Sequence, residues 1–323
     1  MRSRVVTCAL LAVALAFGVL VLGTGDYPLT PAEVLRTLSG GGDAGAHFVV
    51  WELRLPRVLT ALAAGAALAL SGALFQALVR NPLGSPDVLG FTSGAAMGAL
   101  VSIVVLGGSS TVLAGGAVAG AVLSGAVVLL ASRRGPFVLA GVATAAVLTG
   151  VNGYLLTRAQ LMDAARAVLW LTGSLDGRDW SDVRTALGAL VLLAPVAVVG
   201  YGRALRLLEL GDDSAAALGV RVPRTRYVLL SVAVLLAAAA AAACGPVSFV
   251  ALAAPQLARR LTRTPGPNLV PSAAMGAALL VAADWLSQRA VPGHALPVGV
   301  LTGLLGGGYL VWLLASHRRV AAR

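Results

Sequence analysis

Residues 54–90 read RLPRVLTALAAGAALALSGALFQALVRNPLGSPDVLG. Between Arg57 and Arg80 no residue is charged. A run of about 20 apolar residues is long enough to cross the hydrocarbon core of a bilayer as a helix. The run then meets Pro82 and Pro86, each without a backbone N–H and each clashing with the turn before it. A helix broken at the membrane edge must rest its freed backbone groups against protein or water. The stretch therefore reads as a spanning helix followed by a non-helical segment. That segment is either a tight loop between helices or a constriction at the cytoplasmic mouth, with Asn81 offering an amide.

The composition extends this reading to the whole chain. Of 323 residues, 58% are hydrophobic and 11% charged, with a mean hydropathy of +0.89. Soluble domains carry about 45–50% apolar and about 25% charged residues, so a soluble enzyme is excluded. The expected fold is all-α, a single polytopic membrane domain over 1–323. Its spans are expected at about 5–23, 56–78, 88–107, 111–131, 137–157, 185–201, 227–244, 247–258, 270–286 and 296–315. The first run is longer than a signal-peptide core and is expected to stay attached. The run at 247–258 is short, flanked by Gly245-Pro246 and Pro255. The spacings Gly94-x-x-x-Gly98 and Gly116-x-x-x-Gly120 mark close helix contacts.

All 24 basic residues are arginine. With ten spans, Arg36, Arg54, Arg57, Arg158, Arg166, Arg178, Arg184 and Arg289 fall on one side and all other arginines on the opposite side. The richer side is cytoplasmic by the positive-inside rule, which puts both termini there. The charges are scattered between apolar runs, so they do not form the clustered face that nucleic acid requires. The absence of lysine also excludes a GxxxxGK[ST] phosphate loop. If ATP drives the protein, a partner binds it.

Other chemistries find little support. No HExxH, CxxC or Gly-x-Ser-x-Gly is present, and His47, His294 and His317 lie far apart, so neither a catalytic nor a metal site is expected. Cys8 and Cys244 read as free thiols. No acid stands near the middle of a span; Asp284 comes nearest, at the outer end of its run. Ion-coupled carriers usually keep an ionisable group inside the membrane, although backbone carbonyls also bind sodium.

Two further segments invite a role. The cytoplasmic loop 202–226 reads GRALRLLELGDDSAAALGVRVPRTR. A short helix with Leu205 and Leu208 on one side ends at Gly211. Asp212 or Asp213 can cap a second, and Gly219 can stop it. With exposed leucines, the pair is either a docking element for a partner's groove or an interfacial pair on lipid headgroups. On the outer side, Arg54 and Arg57 flank Leu55-Pro56, as interfacial anchors or as docking charges. The outer connection 24–55 is long. The segment 158–184 starts as an amphipathic helix (Leu161, Ala165, Val168, Leu169) and turns polar at GSLDGRDWSD.

Taken together, residues 54–90, VLAGVA (138–143), WLTGSLDGRDW (170–180), LELGDDSAAALGV (208–220), GPVSFVALAAPQLARRL (245–261) and LPVGVLTGLLGG (296–307) resemble the FecCD family, the iron–siderophore and cobalamin permeases of ABC importers. The resemblance implies a permease of the bacterial cytoplasmic membrane with an inverted repeat. It would bind no cofactor itself and would pair with a second permease, identical or paralogous. Two ATPase subunits holding ATP and Mg would sit below, and an extracytoplasmic siderophore-binding protein above. On this chain it places Arg54, Arg57 and Arg289 toward the binding protein. It places Leu205, Leu208, Leu210, Gly211, Asp212, Asp213, Leu218 and Gly219 in the ATPase groove, and Asn81, Pro82 and Leu83 near the gate. Many members have Pro-His where this chain has Pro255-Gln256, Glu where it has Ala295, and Gly-Ala-Pro-Phe where it has Gly306 to Tyr309. The variants at Pro255-Gln256 and at Gly306 to Tyr309 resemble the ferric-enterobactin-type permeases and favour a catecholate siderophore over cobalamin or haem. An ion-coupled carrier and a non-transporting scaffold are the rivals of a different class.

Overall fold

A computed structural model describes residues 1–25, 27–132, 136–291 and 295–321. Arg133, Arg134, His294 and Arg323 lie outside the described residues. The described chain is helical: α1 (Arg2–Gly23), α2 (Pro31–Leu38), α3 (Ala44–Phe48), α4 (Leu55–Val79), α5 (Phe91–Val104), α6 (Ser110–Ala131), α7 (Phe137–Arg158), α8 (Leu161–Leu171), α9 (Trp180–Pro195), α10 (Gly202–Leu208), α11 (Asp212–Ala217), α12 (Val222–Cys244), α13 (Val250–Thr262), α14 (Leu269–Ser287) and α15 (Val298–Ala321). A wider π-turn at Val49–Arg54 leads into α4, and another at Val196–Gly200 extends α9. Among the described residues, seven stretches are long and apolar enough to cross a membrane: Arg2–Gly23, Ala44–Val79, Ser110–Ala131, Phe137–Arg158, Trp180–Gly200, Val222–Cys244 and Leu269–Ser287. Phe91–Val104 is a shorter apolar helix, and α15 is apolar over Val298–Gly308.

The hydrophobic core lies around α4, which packs against α9, α12, α13 and α14. Small residues let these backbones approach. Gly65 of α4 meets Gly276 of α14, and Gly94 and Gly98 of α5 meet Gly120 and Gly116 of α6. The two glycine spacings singled out in the sequence thus face each other. Outside this core the helices stay apolar where they are exposed. Gly141 is the only fully buried residue of α7, and Val147, Val151 and Tyr154 point outward. An apolar exterior on this scale suits lipid or another membrane subunit, not water.

Local sequence explains the remaining elements. The long outer connection 24–55 contains α2 and α3. Thr30 and Glu33 form a reciprocal capping box with Pro31 at the first helical position, and Asp43 caps α3. Asp179 and Asp182 form a second box that starts α9 at Trp180, ahead of the expected 185. The Ser181 hydroxyl, opposed by partial burial and helped by the backbone N–H groups of Ser181 and Asp182, holds the Asp179 carboxyl below the usual range. Pro255 does not flank the eighth run but lies inside α13. There it removes one helical N–H and leaves the carbonyl of Ala251 without its usual partner.

Candidate functional site

The broken segment after α4 is the centre of a polar cluster. Arg80 closes α4 in the left-handed conformation, φ 53°. The side-chain oxygen of Asn81 then accepts the N–H of Leu83 at 2.9 Å, so Asn81 builds the turn it stands in. Pro82 and Leu83 are exposed. Gln256 of α13 donates to the Pro82 carbonyl at 2.9 Å and to Gln76 Oε1 at 2.8 Å. Arg259 donates to the same Gln76 oxygen, and Gln76 Nε2 donates to the Leu252 carbonyl at 3.0 Å. Further along, Asp87 accepts from the Thr92 hydroxyl at 2.6 Å and from the Phe249 N–H. The segment 80–90 is therefore stitched to the start and middle of α13, the other short helix that begins after a break.

Gln76, Gln256, Arg259 and Asp87 are the residues that sequence reasoning missed. Gln76 left a signal, as the one amide in the apolar run of α4, a turn before its break. A polar side chain there needs a partner, and the break supplies one.

On the neighbouring face lies the loop 202–226. Two short helices form there as expected, separated by Gly211, and Gly219 follows α11 with φ +86°. The expectation of exposed leucines is met at Leu210 and Leu218, which are 64% and 61% exposed. It is corrected at Leu205 and Leu208, which are buried in the core. The short amphipathic helix α10 covers its apolar face with the protein's own helices. Asp212 does not cap α11 as expected; Gly211 holds that position without a side-chain bond. The Asp212 carboxylate instead accepts from Arg80 at 2.5 Å and Arg226 at 2.9 Å. Asp213 is on the first turn beside it. Burial raises the Glu209 carboxyl, against the opposing pull of Arg259 and Arg206. A cavity of about 660 Å³ opens beside this loop, lined by Arg80, Asp212, Arg226 and Tyr227 among apolar walls.

At the opposite end, the three arginines assigned to docking are placed very differently. Arg54 is buried and donates to the carbonyls of Leu22 at 2.7 Å and Tyr27 at 2.6 Å. Arg57 forks onto Asp284 (Nη2–Oδ1 2.8 Å, Nε–Oδ2 3.0 Å) and reaches Asp176 at 3.3 Å. Asp284 is fully buried, with Gln288 donating at 3.0 Å. Arg289 is exposed, donates to the Thr24 hydroxyl at 2.7 Å and stands over the Trp285 ring at 4.5 Å. Arg54 and Arg57 thus hold α4 to α1 and α14, while Arg289 presents charge outward. A larger cavity of about 1060 Å³ opens at this end between α6, α8 and the segment Thr172–Asp182.

The chain matches the FecCD transport family over residues 10–316. It is 44% identical over 98% of both chains to the ferric enterobactin transport system permease protein FepG of Escherichia coli (strain K12). It is 42% identical to the Fe(3+) dicitrate transport system permease protein FecD of the same organism, over 84% of this chain and 86% of that one. Among solved structures it resembles an inward-facing metal-chelate type ABC transporter, with a TM-score of 0.86, 27% identity, and coverage of 97% of this chain and 99% of the other.

Proposed function

Since the chain belongs to the FecCD transport family, we propose that it forms one half of the membrane pathway of an ABC importer for a ferric siderophore of the catecholate type. It is the permease subunit of a binding-protein-dependent importer, sits in the bacterial inner membrane and leaves ATP hydrolysis to a partner. The observation that carries the ligand class is the 44% identity, over 98% of both chains, to a ferric enterobactin permease. A second permease, two ATPase subunits and an extracytoplasmic binding protein complete the proposed complex. The ten-span topology with both termini inside belongs to the same reading. It is supported by the arginine distribution and by helices that coincide with the expected runs.

In this mechanism the binding protein docks on the rim that carries Arg289, with Arg54 and Arg57 holding the rim in shape. ATP closes the ATPase pair, which displaces the loop 202–226. The segment around Asn81, Pro82 and Leu83 then opens or shuts the inner mouth. No bond in the cargo is made or broken.

Proteoliposomes carrying the permease with its ATPase and binding protein should take up radio-iron ferric enterobactin only with ATP, and the permease alone should remain inert. Accumulation of the iron complex by this polypeptide without partners would overturn the reading in favour of an independent carrier. Leu210→Asp or Leu218→Asp should weaken ATPase association. Losing an interface anchor costs about 2 kcal/mol, roughly thirty-fold in affinity. Pull-downs with unchanged ATPase recovery would remove these leucines from the contact. Arg289→Glu should slow binding-protein docking most at low salt, since exposed charges are screened; docking rates equal to wild type at every ionic strength would exclude Arg289 from the rim contact.

A further inference from the structure

We infer that Arg80 and Asp212 form the mechanical joint that passes displacement of the loop 202–226 to the gate segment 80–90; this rests on the transport reading above. Arg80 is the last residue of α4's turn and the first of the broken segment, and its left-handed backbone points its side chain away from the helix run. The guanidinium crosses to the loop and makes two contacts there. Nη2 donates to the Leu208 carbonyl at 2.7 Å and to Asp212 Oδ1 at 2.5 Å. The same Asp212 oxygen accepts from Arg226 at 2.9 Å, near the start of α12. One carboxylate at the start of α11 thereby connects three elements: the gate segment, the second short helix and the long helix α12.

The geometry gives the joint a direction. Leu205 and Leu208 bury α10 in the core, whereas Leu210 and Leu218 stay exposed on either side of α11. A partner gripping the exposed leucines therefore bears on α11 most directly, and Asp212 is its first residue. On the far side the segment is held by Gln256 through the Pro82 carbonyl. A pull at Arg80 works against that amide. The ion pairs are about 40% exposed, and pairs of that kind add little to stability. A purely structural role would thus leave the variants close to wild type, while a transmitting role would not.

The test uses the complete importer in proteoliposomes, with Cys8→Ser removing the exposed thiol and Val88→Cys placed as a reporter on the exposed part of the segment. The rate of Val88→Cys labelling by a charged maleimide is measured with and without ATP and vanadate, alongside ATPase recovery in pull-downs. In the parent the rate should change several-fold with nucleotide. In Asp212→Asn and Arg80→Gln the change should fall below half of that, with iron uptake per ATP reduced at least in proportion; ATPase recovery should stay intact in Arg80→Gln, whose residue lies outside the loop 202–226. Arg80→Lys, which keeps the charge on a shorter side chain, should fall between. Full nucleotide response in both neutral variants would overturn the joint while leaving the transport reading standing. ATP-driven iron uptake in the parent with no change in labelling would overturn the joint alone, and absence of ATP-driven uptake in the parent would overturn both.

Discussion

Arg57→Ala is expected to destabilise the folded chain by about 3–5 kcal/mol, because it leaves a buried carboxylate without its cation. Asp284 is completely enclosed in α14, and Arg57 supplies both prongs of the fork that neutralises it. Gln288, which also donates to it, offers only a neutral amide. Arg57→Glu should be worse, since it sets two acids against each other. Arg289→Ala, at an exposed residue, should stay within about 0.5 kcal/mol of wild type. Replacing the pair together, Arg57→Met with Asp284→Leu, should recover most of the loss, as replacing a buried pair by apolar residues often costs nothing. Thermal unfolding of the purified variants in detergent measures all four. An Arg57→Ala protein within 1 kcal/mol of wild type would mean that water or another donor reaches Asp284. The result also governs any docking experiment that reverses Arg57, because a loss of docking in that variant would first report a loosened α4–α14 contact.

This pair shows where the sequence stops being legible. The apolar runs were readable because a membrane helix carries its signal in consecutive residues, and Arg2–Gly23, Leu55–Val79 and Leu269–Ser287 fall where hydropathy puts them. The break at Pro82 and Pro86 was equally plain, since proline acts locally. Asp284 and Arg57 are 227 positions apart, and no local pattern tells an arginine that faces a partner from one that neutralises a distant acid. The same limit applies to Leu205 and Leu208. Their spacing puts them on one side of a short helix, but whether that side meets a partner or the core depends on how α10 packs. Gln76 and Gln256 were half legible. Each is an amide in an apolar setting that requires a partner, yet only the fold shows that each finds the other.

Gly72→Ala is the second change expected to act strongly, through the packing of α4 on α13. A Cβ built on Gly72 would lie 1.8 Å from the carbonyl oxygen of Ala251, with the rest of that peptide close behind. The obstacle is backbone, so no side-chain rotation relieves it, and α13 must move. Overpacking of this kind costs about 1–3 kcal/mol and sometimes more. The exposure of that carbonyl traces to Pro255, the residue whose N–H would otherwise have bonded it within α13. Glycine at 72 and proline at 255 are thus two halves of one contact. Gly115→Ala, on α6, meets nothing within 4 Å and serves as the control. The displaced helix carries Gln256, so Gly72→Ala should also loosen the bond to Pro82 and make the gate leak. Iron uptake without ATP should rise as the unfolding temperature falls. Adding Pro255→Ala, which returns an N–H to the Ala251 carbonyl and draws it back into α13, should restore part of the lost stability. If Gly72→Ala and Gly115→Ala unfold at the same temperature, the close approach of α4 and α13 is not what the chain relies on at this point.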